Sequence, residues 1–91
     1  LNFKKNFRSS LADAFELPKE ILLDLPRVTL VGNVQMYVQN HKGVVEYSDN
    51  VIRVSISGGE LIIKGEDLTI KNIYSEEIFI NGLINHLEYA V

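Results

Sequence analysis

The chain has no cysteine and no tryptophan, and only two histidines and two prolines among its 91 residues. Without cysteine there is no thiol nucleophile, no thiolate-ligated zinc and no iron–sulfur cluster. Two imidazoles are too few for a histidine-rich metal site, and no disulfide supports the small core that a chain of this size can bury. Long hydrophobic runs are also missing: the longest uncharged apolar stretch falls far short of the roughly 18–20 residues that cross a bilayer. The amino-terminal segment is basic but never develops a continuous apolar stretch, so no secretory signal is expected. The chain is expected to stay in the compartment where it is made unless a partner holds it at a membrane. Net charge is −3, which argues against a general nucleic-acid binder. A hydrophobic fraction of 46% argues against disorder.

What is present is unevenly distributed. Residues 1–10 carry Lys4, Lys5 and Arg8 and no acid, whereas residues 45–91 hold three basic against eight acidic side chains, a balance of −5. The basic head has a helical period. Phe3, Phe7, Leu11 and Phe15 recur every four residues and would share one helix face over residues 3–16. Lys4, Lys5 and Arg8 flank that stripe, and Asp13 and Glu16 come late, an order that opposes the helix dipole. Such a helix can pack on its own sheet, dock into a partner or lie on an anionic membrane. With three cations at about 1 kcal/mol each, autonomous membrane binding is weak. Leu17-Pro18 interrupts the stripe, and Pro18 suits the first turn of a second, short helix ending before Pro26.

After Pro26 the period falls to two. Val28–Val31, Val34–Gln39, Val44–Tyr47, Ile52–Ser57, Leu61–Lys64, Leu68–Asn72, Ile78–Ile80 and Leu87–Tyr89 read as short strands. The turn signals between them are Gly32-Asn33, Asn40–Gly43, Ser48–Asn50, Gly58-Gly59, Gly65-Glu66 and Asn81-Gly82, the last being the strongest two-residue hairpin signal. No helical crossovers separate the strands, which excludes parallel βαβ units. The expected fold is mainly β: a small antiparallel meander of seven or eight strands, forming a sandwich or a partly open barrel behind the two helices. A short β-solenoid is the rival, but no fixed repeat period supports it. Residues 1–16 would be an amphipathic helical segment and 17–91 a single β domain opening with a short helix.

Chemistry is sparse. His41 lies in the Asn40–Gly43 turn, where a lone histidine is ordinarily a polar surface residue, and no oriented nucleophile can be named beside it. His86 sits on the strand face opposite Leu87, exposed or facing a partner. Glu66-Asp67 and Glu76-Glu77 are adjacent pairs; neighbouring strand residues point to opposite faces, so neither pair aims two carboxylates at one ion. Gly58-Gly59 precedes no helix and cradles no phosphate. The residues thus offer no catalytic group, metal site or cofactor site. Two surfaces remain as candidates: the stripe Phe3, Lys4, Lys5, Phe7, Arg8, Leu11 and Phe15 for docking to a partner or membrane, and a patch around Tyr37, Asn40 and His41. Tyr37, Tyr47, Ile62, Tyr74 and Phe79 fall outside the simplest alternation. They form either a second side of the core or an exposed apolar patch used in assembly.

Several stretches also carry a resemblance: Leu17-Pro18-Lys19-Glu20, Leu25-Pro26-Arg27-Val28-Thr29-Leu30-Val31-Gly32-Asn33, Tyr37–Val44, Gly65–Ile73 with its Leu68-Thr69-Ile70-Lys71-Asn72-Ile73, and Ile78–Gly82 with Leu87-Glu88-Tyr89. Together they resemble the YabP/YqfC family of sporulation proteins of endospore-forming bacteria, over nearly the full length. The resemblance implies a mother-cell protein without catalytic residues or cofactors, acting in spore envelope or coat formation. It also implies a membrane-associated sporulation partner of the YqfD type, and a place in the mother-cell cytoplasm or at the periphery of the membrane around the forespore. The expected role is a non-enzymatic assembly or adaptor factor, with self-association through a sheet edge as a further means of assembly. The alternative is a small ligand- or polysaccharide-binding module of the coat or cortex machinery, with its site at Tyr37, Asn40 and His41.

Overall fold

The computed structural model describes residues 24–74 and 76–91. The helices expected over residues 3–16 and after Pro18 lie outside the described residues. From Arg27 onward the chain is β. Its strands are β1 (Arg27–Val31), β2 (Gln35–Gln39), β3 (Gly43–Tyr47), β4 (Val51–Ile56), β5 (Gly59–Ile73) and β6 (Glu77–Ala90). They form one antiparallel sheet in the order β1-β2-β6-β5-β4-β3.

The strand order corrects the expected meander. β2 and β3 are consecutive in sequence yet four positions apart in the sheet, with β6, β5 and β4 between them. In a flat sheet that separation would be about 19 Å. Gln39 and Gly43 are four Cα steps apart, about 15 Å at full stretch. The short link therefore requires the sheet to curl. Its backbone shows the path: the N–H groups of Asn40 and His41 donate to the Glu76 carbonyl at 2.6 and 3.2 Å, and Lys42 N–H donates to the Ser55 carbonyl at 2.7 Å. Among the described residues β1 pairs only with β2 and β3 only with β4, so the curl is a partly open barrel and not a sandwich.

Two turn assignments are also corrected. Gly65-Glu66 and Asn81-Gly82 reverse nothing; they lie inside the two long strands, which is why there are six strands and not seven or eight. Gly65 pairs with Ile84 and Glu66 with Leu83, across register shifts at Lys64/Gly65 and Glu66/Thr69. A Cβ on Gly65 would stand 1.8 Å from the Leu83 carbonyl oxygen. Gly82 has φ +138°, and a Cβ there would stand 2.6 Å from the Asp67 carbonyl oxygen. These glycines mark a bulged crossing where two backbones come closer than any side chain permits. The bulge bends both strands, and its far side is capped by the β3–β4 turn, whose Asn50 and Asp49 carbonyls accept from Gly65 N–H at 3.0 Å and Leu68 N–H at 2.9 Å. The Gly58-Gly59 signal does mark a hairpin: Ile56 pairs with Gly59, leaving Ser57-Gly58 as the loop.

The concave face is aliphatic. Met36, Val38, Ile52, Val54, Ile56, Leu61, Ile63, Leu68, Ile78, Ile80 and Ile84 are buried together, and Val28, Val44, Ile70 and Leu87 pack against them. Every second residue of β2, β4 and the first half of β5 contributes, as a period of two demands. At about 1.5–3 kcal/mol per buried aliphatic side chain, this cluster is the main source of stability.

Candidate functional site

His41 overturns the expectation of a polar surface residue: it is 4% exposed. Gly43 N–H donates to its Nδ1 at 2.9 Å, so the ring proton sits on Nε2, which faces the Tyr74 carbonyl at 3.4 Å. Its own backbone N–H is held by Glu76. The imidazole thus ties the start of β3 to the turn between β5 and β6 and closes one end of the barrel. Both ring nitrogens face backbone groups, as in a structural tie.

Asn40, next in the link, has φ 63°, and its side-chain amide donates to the Leu25 carbonyl at 3.0 Å. Tyr37 lies elsewhere, on the convex face, paired with Thr29 on one side and Phe79 on the other. The three residues of the expected patch therefore do not share a concave surface. The residues of the expected amino-terminal docking stripe lie outside the described residues.

The structure does assemble a different group on the convex face. The rings of Tyr37 and Phe79 stack, with centroids 4.3 Å apart and planes 16° from parallel. The Tyr37 hydroxyl donates to the Glu77 carboxylate, which raises its pKa above the ordinary tyrosine value, with partial desolvation adding to the effect. Tyr37 and Phe79 were both out of phase with the buried rows in the sequence, and that was the available signal; their contact depends on the β2–β6 pairing, which is not local. Tyr47 and Tyr74 are exposed, and Ile62 is half-buried. The Tyr47 hydroxyl accepts from the Ile70 N–H at 3.0 Å, capping part of the β5 edge that β4 leaves unpaired.

Several charged side chains are engaged structurally. Arg53 Nε and Nη2 donate to the two carboxylate oxygens of Glu60 at 2.8 and 2.9 Å, and Nη1 donates to Glu46 at 3.1 Å, stitching β5, β4 and β3 on the convex face. His86 pairs with Glu88 at 3.1 Å on the surface. No group of three or more metal-ligating side chains occurs among the described residues. No helix among them is long and apolar enough to cross a membrane.

Asp24 is a junction that the sequence did not reveal. Its carboxylate accepts from the Ser57 hydroxyl and pairs with Lys42 at 3.4 Å, pinning the chain before β1 to the β2–β3 link and the β4–β5 loop. The Ser57 hydrogen bond, then Lys42, holds the carboxyl below its ordinary value of 3.8. A lowered folded-state pKa contributes stability that is complete above the unfolded value and is lost as pH falls through the folded one. Asp24→Asn should therefore lower stability slightly at neutral pH and lose that deficit as pH falls below about 4, where the two proteins converge; the difference is small because the pair is exposed. Urea midpoints of both proteins across pH 2.5–7 measure this; parallel curves would contradict it.

The comparisons with known proteins agree with one another. The model of the YabP family matches residues 24–91, the sheet and the segment that pins it. YqfC of Bacillus subtilis (strain 168), a protein described as uncharacterized, is 37% identical over 87 residues, 96% of this chain and 94% of that protein. With a family match spanning the whole described sheet and a relative aligned nearly end to end, the chain belongs to the YabP/YqfC sporulation family.

Proposed function

We propose that this protein is a non-enzymatic assembly or adaptor factor of the sporulating mother cell. It works from the cytoplasm with a membrane-associated sporulation partner of the YqfD type, in spore envelope or coat formation. The observation that carries this reading is the apolar side chains left at the surface of so small a sheet: Leu25, Leu30, Val31 and Val34 around β1, and Tyr74 and Phe79 toward the β5–β6 end. Clustered exposed hydrophobics of this kind are a feature of association surfaces. The two imidazoles give no support to catalysis, since one faces backbone groups and the other pairs with Glu88.

In this reading the Phe3, Phe7, Leu11 and Phe15 stripe, with Lys4, Lys5 and Arg8, is the docking element, and the β domain is the body that it recruits. Deleting residues 1–16 should leave the far-ultraviolet circular dichroism of the sheet and its cooperative melt in place while abolishing co-purification with the membrane-associated partner from sporulating cells. Retained co-purification would refute the assignment.

A further inference from the structure

The sheet has four open margins among the described residues, and three of them are protected. One is β6 beyond Ile84, which β2 leaves unpaired and where Asn85, His86 and Glu88 keep the strand polar. β3 carries a register shift between Val44 and Glu46, with the Glu46 carboxylate on its outer face. The second half of β5 is bulged twice, carries Glu66, Asp67 and Lys71, and is partly capped by the Tyr47 hydroxyl. Bulges, charges and caps are the devices by which proteins prevent strand addition. β1 has none of them from Val28 to Val31. Its five residues pair with β2 in unbroken register, and Leu30 and Val31 are 48% and 56% exposed.

The sequence of β1 is also matched to itself. Two copies running antiparallel about a two-fold axis at Thr29 would set Thr29 opposite Thr29, Val28 opposite Leu30, and Arg27 opposite Val31. Thr–Thr and aliphatic pairs are favourable cross-strand neighbours, and such an isologous contact closes after two copies. The concave rows would run on across the axis, since Leu30 and Val28 lie in register with the buried Met36 and Val38. We infer that β1 is a homodimerisation edge: a second copy of this chain adds its own β1 antiparallel at Thr29, giving one continuous twelve-stranded sheet. The occupant is a second copy and not an unrelated peptide, because the strand supplies its own complement. The inference is independent of the amino-terminal docking segment.

The pairing makes Val31 a site of opposite outcomes. V31K would place a like charge opposite Arg27 of the second copy at both ends of the contact, and V31E would place an opposite charge there. On the scale of cross-strand charge pairs, two symmetric pairs should weaken dimerisation roughly threefold to thirtyfold in V31K and tighten it in V31E. Sedimentation equilibrium of the full chain over a concentration series reads both, with urea midpoints confirming that each variant folds. A native chain that stays monomeric to millimolar concentration, or a dimer that responds alike to both charges, overturns the inference. Because the chain lacks cysteine, Thr29→Cys supplies a second reading. Mild oxidation should give a disulfide-linked dimer from Thr29→Cys and none from Asp49→Cys, and equal cross-linking at both positions would also overturn it.

Discussion

Gly65→Ala should be the most damaging single methyl that can be added to this sheet. The new Cβ would lie 1.8 Å from the Leu83 carbonyl oxygen and 2.9 Å from its carbon, so it meets backbone and not a side chain that could rotate away. Relief requires β5 and β6 to part at the bulge, and these strands hold Leu61, Ile63, Leu68, Ile78, Ile80 and Ile84 of the core. The expected loss is at least about 3 kcal/mol, above the usual range for one overpacked methyl. That is a large part of the roughly 5–15 kcal/mol a small domain possesses. Gly58→Ala is the matched control. Its φ of +83° is unsuited to alanine, a strain that Gly65 does not carry, but open space surrounds the position, so the cost should be limited to about 1–2 kcal/mol of backbone strain. Urea midpoints of the two variants separate steric from conformational cost. A Gly65→Ala protein as stable as Gly58→Ala would show that the crossing is looser than described.

His41→Ala is expected to cost about 2–3 kcal/mol, because it empties a buried side-chain site and leaves the part-buried Gly43 N–H and a Tyr74 carbonyl without their partner. His41→Asn tests which bond matters. An asparagine oxygen can take up the N–H two residues on, as the Nδ1 of histidine does here, but its side chain is too short to reach Tyr74. About half of the loss should return. If Asn is as damaging as Ala, the Gly43 hydrogen bond is not what the imidazole supplies. Any sporulation defect of His41→Ala should follow its lower stability and be relieved at reduced temperature, not reflect lost chemistry.

The core was legible where local pattern suffices. Ile52, Val54 and Ile56, then Leu61 and Ile63, alternate without interruption, and the structure buries all five. Met36 and Val38 obey the same rule, although Val34, counted with them, falls in the turn and is exposed. The glycines were ambiguous for a physical reason. A Gly in a strand pattern can signal a reversal or a close approach of two backbones, and only the partner strand decides. At Gly65 the partner is Leu83, and at Gly82 it is Asp67. His41 was misplaced for the same reason, since what buries it includes a carbonyl 33 residues away. The stack of Tyr37 on Phe79 likewise rests on the β2–β6 pairing. Out-of-phase aromatics showed that a second face existed, but not which of them would meet.

The placement of β6 between β2 and β5 has a consequence for biosynthesis. β3, β4 and β5 can zip together as successive hairpins while they leave the ribosome, but the β1–β2 hairpin must wait for residues 77–81 before its inner edge finds a neighbour. Met36 and Val38, fully buried at the end, stay exposed until Ile78 and Ile80 have been made. Non-local closure of this kind slows folding and prolongs exposure of unpaired strands. The last strand is thus the keystone of the sheet, and a chain truncated before it would hold two hairpin systems with no strand between them.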